Sequence, residues 1–150
     1  MSDHETPLRF VLASRSPARL ATLRAAGVEP EVFVSHVEEE AIEGSMPDAS
    51  PAELAQTLAR AKAEAIAHAL TSPAIVVGCD SVFELDGRPY GKPGTREVAR
   101  ERWQQMFGNT GILHTGHCVI DTATSQRAEA TASTKVTMGR MTSQEMDDYL

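Results

Sequence analysis

Apolar and polar positions along this chain fall into blocks, and the blocks predict a mixed α/β fold. Arg9–Ala13 is a short apolar run, the pattern of a buried strand. Ser16 and Pro17 then open a helical pattern with Leu20 and Leu23 on one face, predicting a helix over Pro17–Ala26 that ends at Gly27. Glu31–Val34 reads as a short second strand, and residues 35–50 as a long acidic loop broken by Gly44, Pro47 and Asp48. Ser50-Pro51-Ala52-Glu53 is a capping box that starts a helix running to Leu70. Ala74–Gly78 is a buried strand, followed by Ser81–Leu85, the hairpin signal Asp86-Gly87 and Arg88–Tyr90. Thr95–Phe107 has helical amphipathic spacing. Ile112–Asp121 and Arg127–Met138 form a strand pair around a turn at Thr122–Ser125. A second capping box, Thr142-Ser143-Gln144-Glu145, starts a helix toward Leu150. Strands and helices alternate first and strands cluster later, which predicts a mixed β-sheet flanked by helices.

Composition narrows the function classes. The 150 residues suit a single domain, 1–150, with one hydrophobic core. A net charge of -7 argues against nucleic-acid and anionic-membrane partners, which need a basic face. It leaves room for a local cationic pocket, because the lysines and arginines cluster at a few junctions. The two cysteines, Cys79 and Cys118, lie in apolar strand-like runs and read as reduced core thiols. No apolar run approaches a membrane span, and residues 1–8 hold no signal-peptide core. A cytoplasmic protein is the expectation.

The chemistry begins at the first junction. A helix N-terminus favours acids, yet Leu12-Ala13-Ser14-Arg15-Ser16-Pro17-Ala18-Arg19 holds two arginines and no acid. Backbone N–H groups, the serine hydroxyls and guanidinium would together suit a phosphate; a solvated arginine pair is the alternative. Lys62 is the one charged residue inside the apolar stripe of the 52–70 helix, which carries Leu54, Ala55, Leu58, Ala59, Ile66 and Leu70. It either snorkels to the rim of the core or aims an ammonium into a cleft. Asp80 follows Val76-Val77-Gly78-Cys79, at the strand end where ligand chemistry gathers in α/β folds, although taken alone a strand-end turn former explains it slightly better. Gly91-Lys92-Pro93 is a compact loop with one lysine, and Glu38-Glu39-Glu40 an acidic run of a kind usually solvated. His114 and His117 face opposite sides of a strand and make no metal pair. Trp103 and Met106 sit at helical spacing and read as packing residues.

Taken in order, these segments resemble the Maf family of nucleoside triphosphate pyrophosphatases. The octet is similar to the family's Ala-Ser-x-Ser-Pro-Arg-Arg, with Ala18 in place of the first arginine and Arg19 as the second. Leu58-Ala59-Arg60-Ala61-Lys62-Ala63 matches Leu-Ala-x-x-Lys-Ala, Gly78-Cys79-Asp80-Ser81 matches Gly-x-Asp-Thr, and Gly91-Lys92-Pro93, Thr115-Gly116 and the 142–149 segment follow. The resemblance implies a two-lobed architecture with a central cleft. It implies hydrolysis of a nucleoside triphosphate to the monophosphate and pyrophosphate, in the service of cleaning the nucleotide pool. Asp80 would be the general base and would share a divalent cation, Mg²⁺ or Mn²⁺, with Glu39. Ser14, Arg19, Lys62 and Lys92 would contact phosphate, and Ala18 and Ser81 would influence the choice of base. Ala18 and Ser81 depart from the family pattern, and Gly111 stands where the family has a histidine. Members also continue past the final tyrosine with a Gly-Glu-Pro segment, so this chain reads as truncated. That gives the alternative of a nucleotide-binding module without catalysis, and leaves a homodimer open.

Overall fold

The structure is a computed structural model that describes residues 8–90 and 95–149. The Gly91-Lys92-Pro93 segment, with the phosphate contact expected of Lys92, lies outside the described residues. The sheet is mixed, with strand order β2-β1-β3-β5-β6 and β4 on β3. These strands are β1 (Arg9–Ala13), β2 (Glu31–Val32), β3 (Ala74–Leu85), β4 (Arg88–Tyr90), β5 (Thr110–Asp121) and β6 (Arg127–Thr137). The helices are α1 (Pro17–Ala25), α2 (Glu39–Ser45), α3 (Pro51–Ala69), α4 (Arg96–Met106) and α5 (Ser143–Tyr149). β1 runs parallel to both β2 and β3, and the pairings of β3 with β4, β3 with β5 and β5 with β6 are antiparallel. No described helix is long and apolar enough to cross a membrane.

Local chemistry sets the element ends. Ser16 caps α1 by accepting from the Arg19 N–H, Pro17 occupies the first turn, and Gly27 follows in the left-handed region at φ +84°. Both halves of the Ser50–Glu53 capping box form at the start of α3. Asp86 and Gly87 both take positive φ in the β3–β4 turn, as a two-residue hairpin requires.

Two expectations change. The acidic segment is not all loop, because Glu39–Ser45 winds into α2. Glu39 and Glu40 occupy its first turn, where the helix dipole favours anions, and the breakers Pro47 and Asp48 lie beyond its end. The expected break between Gly78 and Ser81 is absent too. β3 runs unbroken for 12 residues, so Asp80 stands in mid-strand rather than at a strand end. What ends there is the neighbour. The β1–β3 ladder stops at Ala13↔Gly78, and β4 takes up the same edge of β3 only at Phe83↔Tyr90. Among the described residues, Cys79–Val82 have no strand partner on that edge, while β5 pairs them fully on the other.

α3 lies across the sheet through two different seams. Leu54, Ala55, Leu58, Ala59, Ala63 and Ile66 are buried on one side. Gly78 and Gly116 receive the helix there: a Cβ on Gly78 would lie 2.3 Å from the Ala59 carbonyl oxygen, and one on Gly116 2.5 Å from that of Ala55. On the other side, Gln56, Arg60 and Glu64 meet Thr131, Glu129 and Arg127 of β6 at 2.8, 2.6 and 2.7 Å. Four residues of helix rise about 6 Å and two of strand about 6.7 Å, so the two rows stay in step.

Candidate active site

The gap in the β3 edge opens a cleft of about 760 Å³. Its walls are the β1–α1 turn, from Ala13 to Arg19, and the segment from Val34 to Glu39; Lys62, Asp80 and Ser81 complete the lining. Of the candidates, Ser14, Arg19, Glu39, Lys62, Asp80 and Ser81 all line this one cleft. Ala18 is not among the lining residues; it is exposed, and its carbonyl accepts from the Thr22 hydroxyl within α1.

Lys62 settles between its two readings toward the cleft. Its ammonium donates to Asp80 Oδ1 at 2.8 Å and lies 2.7 Å from Glu39 Oε1. The Lys62 and Asp80 side chains are only 15% and 16% exposed, so this pair is largely withdrawn from water. Burial pushes the Lys62 pKa down, but the hydrogen bonds to Asp80 and Glu39 outweigh it and hold the ammonium above its ordinary value. Burial raises the carboxyl pKa of Glu43, one turn along α2, and the charges of Glu39, Asp80 and Glu40 raise it further.

Arg19 fills the gap from the α1 side. Its guanidinium donates to the Ser14 hydroxyl at 3.1 Å, to the Cys79 carbonyl at 3.3 Å and to the Ser81 hydroxyl at 3.2 Å. The Cys79 carbonyl, left without a strand on this edge, is thus satisfied by a side chain. Ser14 is buried and also accepts from the Ser16 N–H at 3.1 Å, which fixes the turn. The Ser81 hydroxyl is 2.9 Å from that of Thr115 on β5. Arg15 also lines the cleft and has no side-chain partner among the described residues.

Glu38, Glu39 and Asp80 are the carboxylates in the cleft lining, and Glu39 and Asp80 converge on one point, the Lys62 ammonium. No cluster of three or more His, Cys, Asp or Glu side chains is arranged for a metal among the described residues. Two carboxylates fit a hard cation that keeps waters and shares substrate oxygens, the habit of Mg²⁺, better than a dedicated protein cage. The Lys62 ammonium lies against both carboxylates and compensates their charge.

The expected separation of the histidines holds. His114 is buried, with Nδ1 2.8 Å from the Ser133 hydroxyl, whereas His117 is on the other face of β5. Trp103 packs edge-on against Phe107 at 5.8 Å, a packing role. Two contributors were not singled out from the sequence. His36 lines the cleft from the connection after β2, where its polarity between Val34 and Val37 is the available signal. Gln56 holds the backbone of His117 from both sides, donating to its carbonyl at 2.8 Å and accepting from its N–H at 3.2 Å.

A family model described as Maf-like protein matches residues 9–150. The chain belongs to the Maf family. A relative named nucleoside triphosphate pyrophosphatase from Streptomyces coelicolor (strain ATCC BAA-471 / A3(2) / M145) is 51% identical over 143 residues, covering 95% of this chain and 68% of the relative. A protein of the same name from Salinispora tropica (strain ATCC BAA-916 / DSM 44818 / JCM 13857 / NBRC 105044 / CNB-440) is 44% identical over 144 residues, covering 96% of this chain and 64% of the relative. This Maf chain therefore spans about two thirds of the length of these curated relatives. A solved nucleoside-triphosphatase / dITP/XTP pyrophosphatase from Mycobacterium abscessus shares 15% identity, with a TM-score of 0.45 over 87% of this chain and 72% of that one, too distant to carry an argument.

Proposed function

We propose that this Maf chain hydrolyses nucleoside triphosphates between the α and β phosphates, yielding the monophosphate and pyrophosphate. Its relatives carry the name nucleoside triphosphate pyrophosphatase. The observation that carries the reading is the meeting of Lys62 with Glu39 and Asp80 in the cleft that Arg15 and Arg19 also line.

In this mechanism Arg15, Arg19 and Lys62 neutralise phosphate oxygens, in a site partly withdrawn from water where such contacts are strongest. Ser14 and Ser16 hold the turn so that Arg19 enters at a fixed angle. The Asp80 carboxylate takes a proton from the attacking water, whose oxygen bonds to the α phosphorus while the bridging oxygen leaves with pyrophosphate. A divalent cation, Mg²⁺ or Mn²⁺, held by Glu39 with Asp80, would supply further neutralisation of the phosphate charge. Lys92 is proposed as an additional phosphate contact from the family motif alone. Ser81, bonded to Arg19 and in the cleft lining, is the better placed of the two specificity candidates; Ala18 would act on the base only indirectly. The cellular role we propose is removal of non-standard nucleotides in the cytoplasm.

The test is pyrophosphate release from a panel of common, methylated and deaminated nucleoside triphosphates with Mg²⁺ or Mn²⁺. Asp80→Asn is expected to lower turnover by about a thousandfold while nucleotide binding persists. Unchanged turnover in Asp80→Asn would remove Asp80 as the base. Folded protein that binds nucleotide but releases no pyrophosphate would favour the alternative, a nucleotide-binding module without catalysis.

A further inference from the structure

We infer that Lys62 acts as an exchangeable counter-ion, holding Glu39 and Asp80 closed to a free divalent cation so that the site takes the cation together with the triphosphate. The inference rests on the reading above in one respect, that Glu39 and Asp80 are the cation's ligands.

The geometry supports it from three directions. First, the two carboxylates meet the same ammonium, at 2.7 and 2.8 Å, so a cation arriving alone competes with a charge already in place. Second, that charge sits on a fixed base and a movable stem. Ala59 and Ala63, which flank Lys62, are fully buried, and α3 there lies against Gly78 so closely that a Cβ would strike Ala59 and Ala63. The helix is held while the four-carbon lysine stem retains its freedom, so the ammonium can turn without any backbone step. Third, the local field is acidic. Glu43, beside the pair, has its proton affinity raised, first by burial and then by the charges of Glu39, Asp80 and Glu40. Removing the ammonium without replacement would leave these carboxylates facing one another.

A triphosphate changes the balance. Its oxygens offer the Lys62 ammonium a new partner in the same cleft, and the cation it carries compensates Glu39 and Asp80 as the lysine turns away. Cation and nucleotide then bind cooperatively, each removing the obstacle to the other. Lys62 thereby has two successive partners, carboxylates in the empty cleft and phosphate in the loaded one.

The experiment is Mn²⁺ binding followed by electron paramagnetic resonance, on the nucleotide-free chain and with an α,β-methylene nucleoside triphosphate that cannot be cleaved. The wild-type chain is expected to bind Mn²⁺ weakly alone and tighter with the analogue, by about tenfold or more beyond the analogue's own affinity for the ion. Lys62→Met is expected to bind Mn²⁺ alone at least about tenfold tighter than wild type, with most of the cooperativity gone. Adding Glu39→Gln to that variant should abolish the gain. Equal Mn²⁺ affinity of wild type with and without the analogue would overturn the inference. So would a folded Lys62→Met chain that binds Mn²⁺ no tighter than wild type. If Lys62→Met folds only with Mn²⁺ present, the wild-type comparison decides alone. Pyrophosphate release is a separate readout: its absence with cooperative Mn²⁺ binding intact would reject the catalytic reading and keep this one.

Discussion

The two sides of α3 are bound to the same sheet by opposite means. Toward β3 and β5 the contact is dry and made by backbone, with alanines laid on Gly78 and Gly116. Toward β6 it is a row of polar side chains, Gln56, Arg60 and Glu64, reaching partners across part-exposed space. The first side leaves no slack at the two glycines, where the nearest atoms of the helix are main chain or Cβ. The second side has slack in every rotamer, and its ion pairs remain open to water and salt. Precision is concentrated on the first seam, which lays Ala59 and Ala63, on either side of Lys62, against Gly78, two residues before Asp80. The site's rigidity thus comes from residues with almost no side chain.

Substitutions should separate the two seams. The largest effect is expected at Gly78→Val, which drives side-chain carbon into the Ala59 carbonyl and the Ala63 backbone. It should cost about 3 kcal/mol and shift Lys62 relative to Asp80, read as a lowered urea midpoint with loss of any turnover. Gln56→Ala comes next, at about 1–3 kcal/mol, because it strips partners from the His117 N–H and carbonyl as well as from Thr131. Glu64→Ala should cost only about 0.5 kcal/mol, since its bond to Arg127 joins two part-exposed side chains. If Glu64→Ala proved as damaging as Gly78→Val, the contrast between the seams would be wrong.

The polar seam also predicts a pH dependence. The Arg60 hydrogen bond holds the Glu129 carboxyl below its ordinary range. A carboxyl lowered in the folded state gives stability that is present above its unfolded pKa and is lost as pH falls through the folded value. Stability measured from about pH 6 down to about pH 3 should therefore fall less steeply in Glu129→Gln than in wild type. An unchanged acid limb would show that the bond contributes nothing in solution.

Much of this fold is legible in the sequence. The caps at Ser16, Ser50 and Thr142 fixed helix starts because one hydroxyl and one N–H decide them locally. The strand β1 is readable from its apolar run, and the Asp86-Gly87 turn from two residues that accept positive φ. Lys62 and Asp80 could be singled out, but their 2.8 Å contact could not, since it depends on two glycines, Gly78 and Gly116, on different strands. The continuity of β3 was hidden because Cys79-Asp80-Ser81 looks like a break when read alone, and β5 supplies the pairing that carries the strand through. α2 was hidden by its charge: three consecutive glutamates read as solvent-facing loop, while the helix dipole can use the first ones. Gln56, Arg60 and Glu64 read as an outward face, and only the strand-to-helix step match shows that β6 answers them.

The stretch of β3 edge at Cys79–Val82, without a strand partner among the described residues, has an evolutionary consequence. The cleft is an interval between two strands on one edge, and its floor, Asp80 and Ser81 on β3, is held in register by the uninterrupted pairing with β5 on the other edge. Its walls are two connections, the β1–α1 turn and the Val34–Glu39 segment. Lengthening or trimming either connection would resize the opening while the residues on the floor kept their register. Such a layout lets one lineage vary what enters the slot and keep unchanged what happens at the bottom of it.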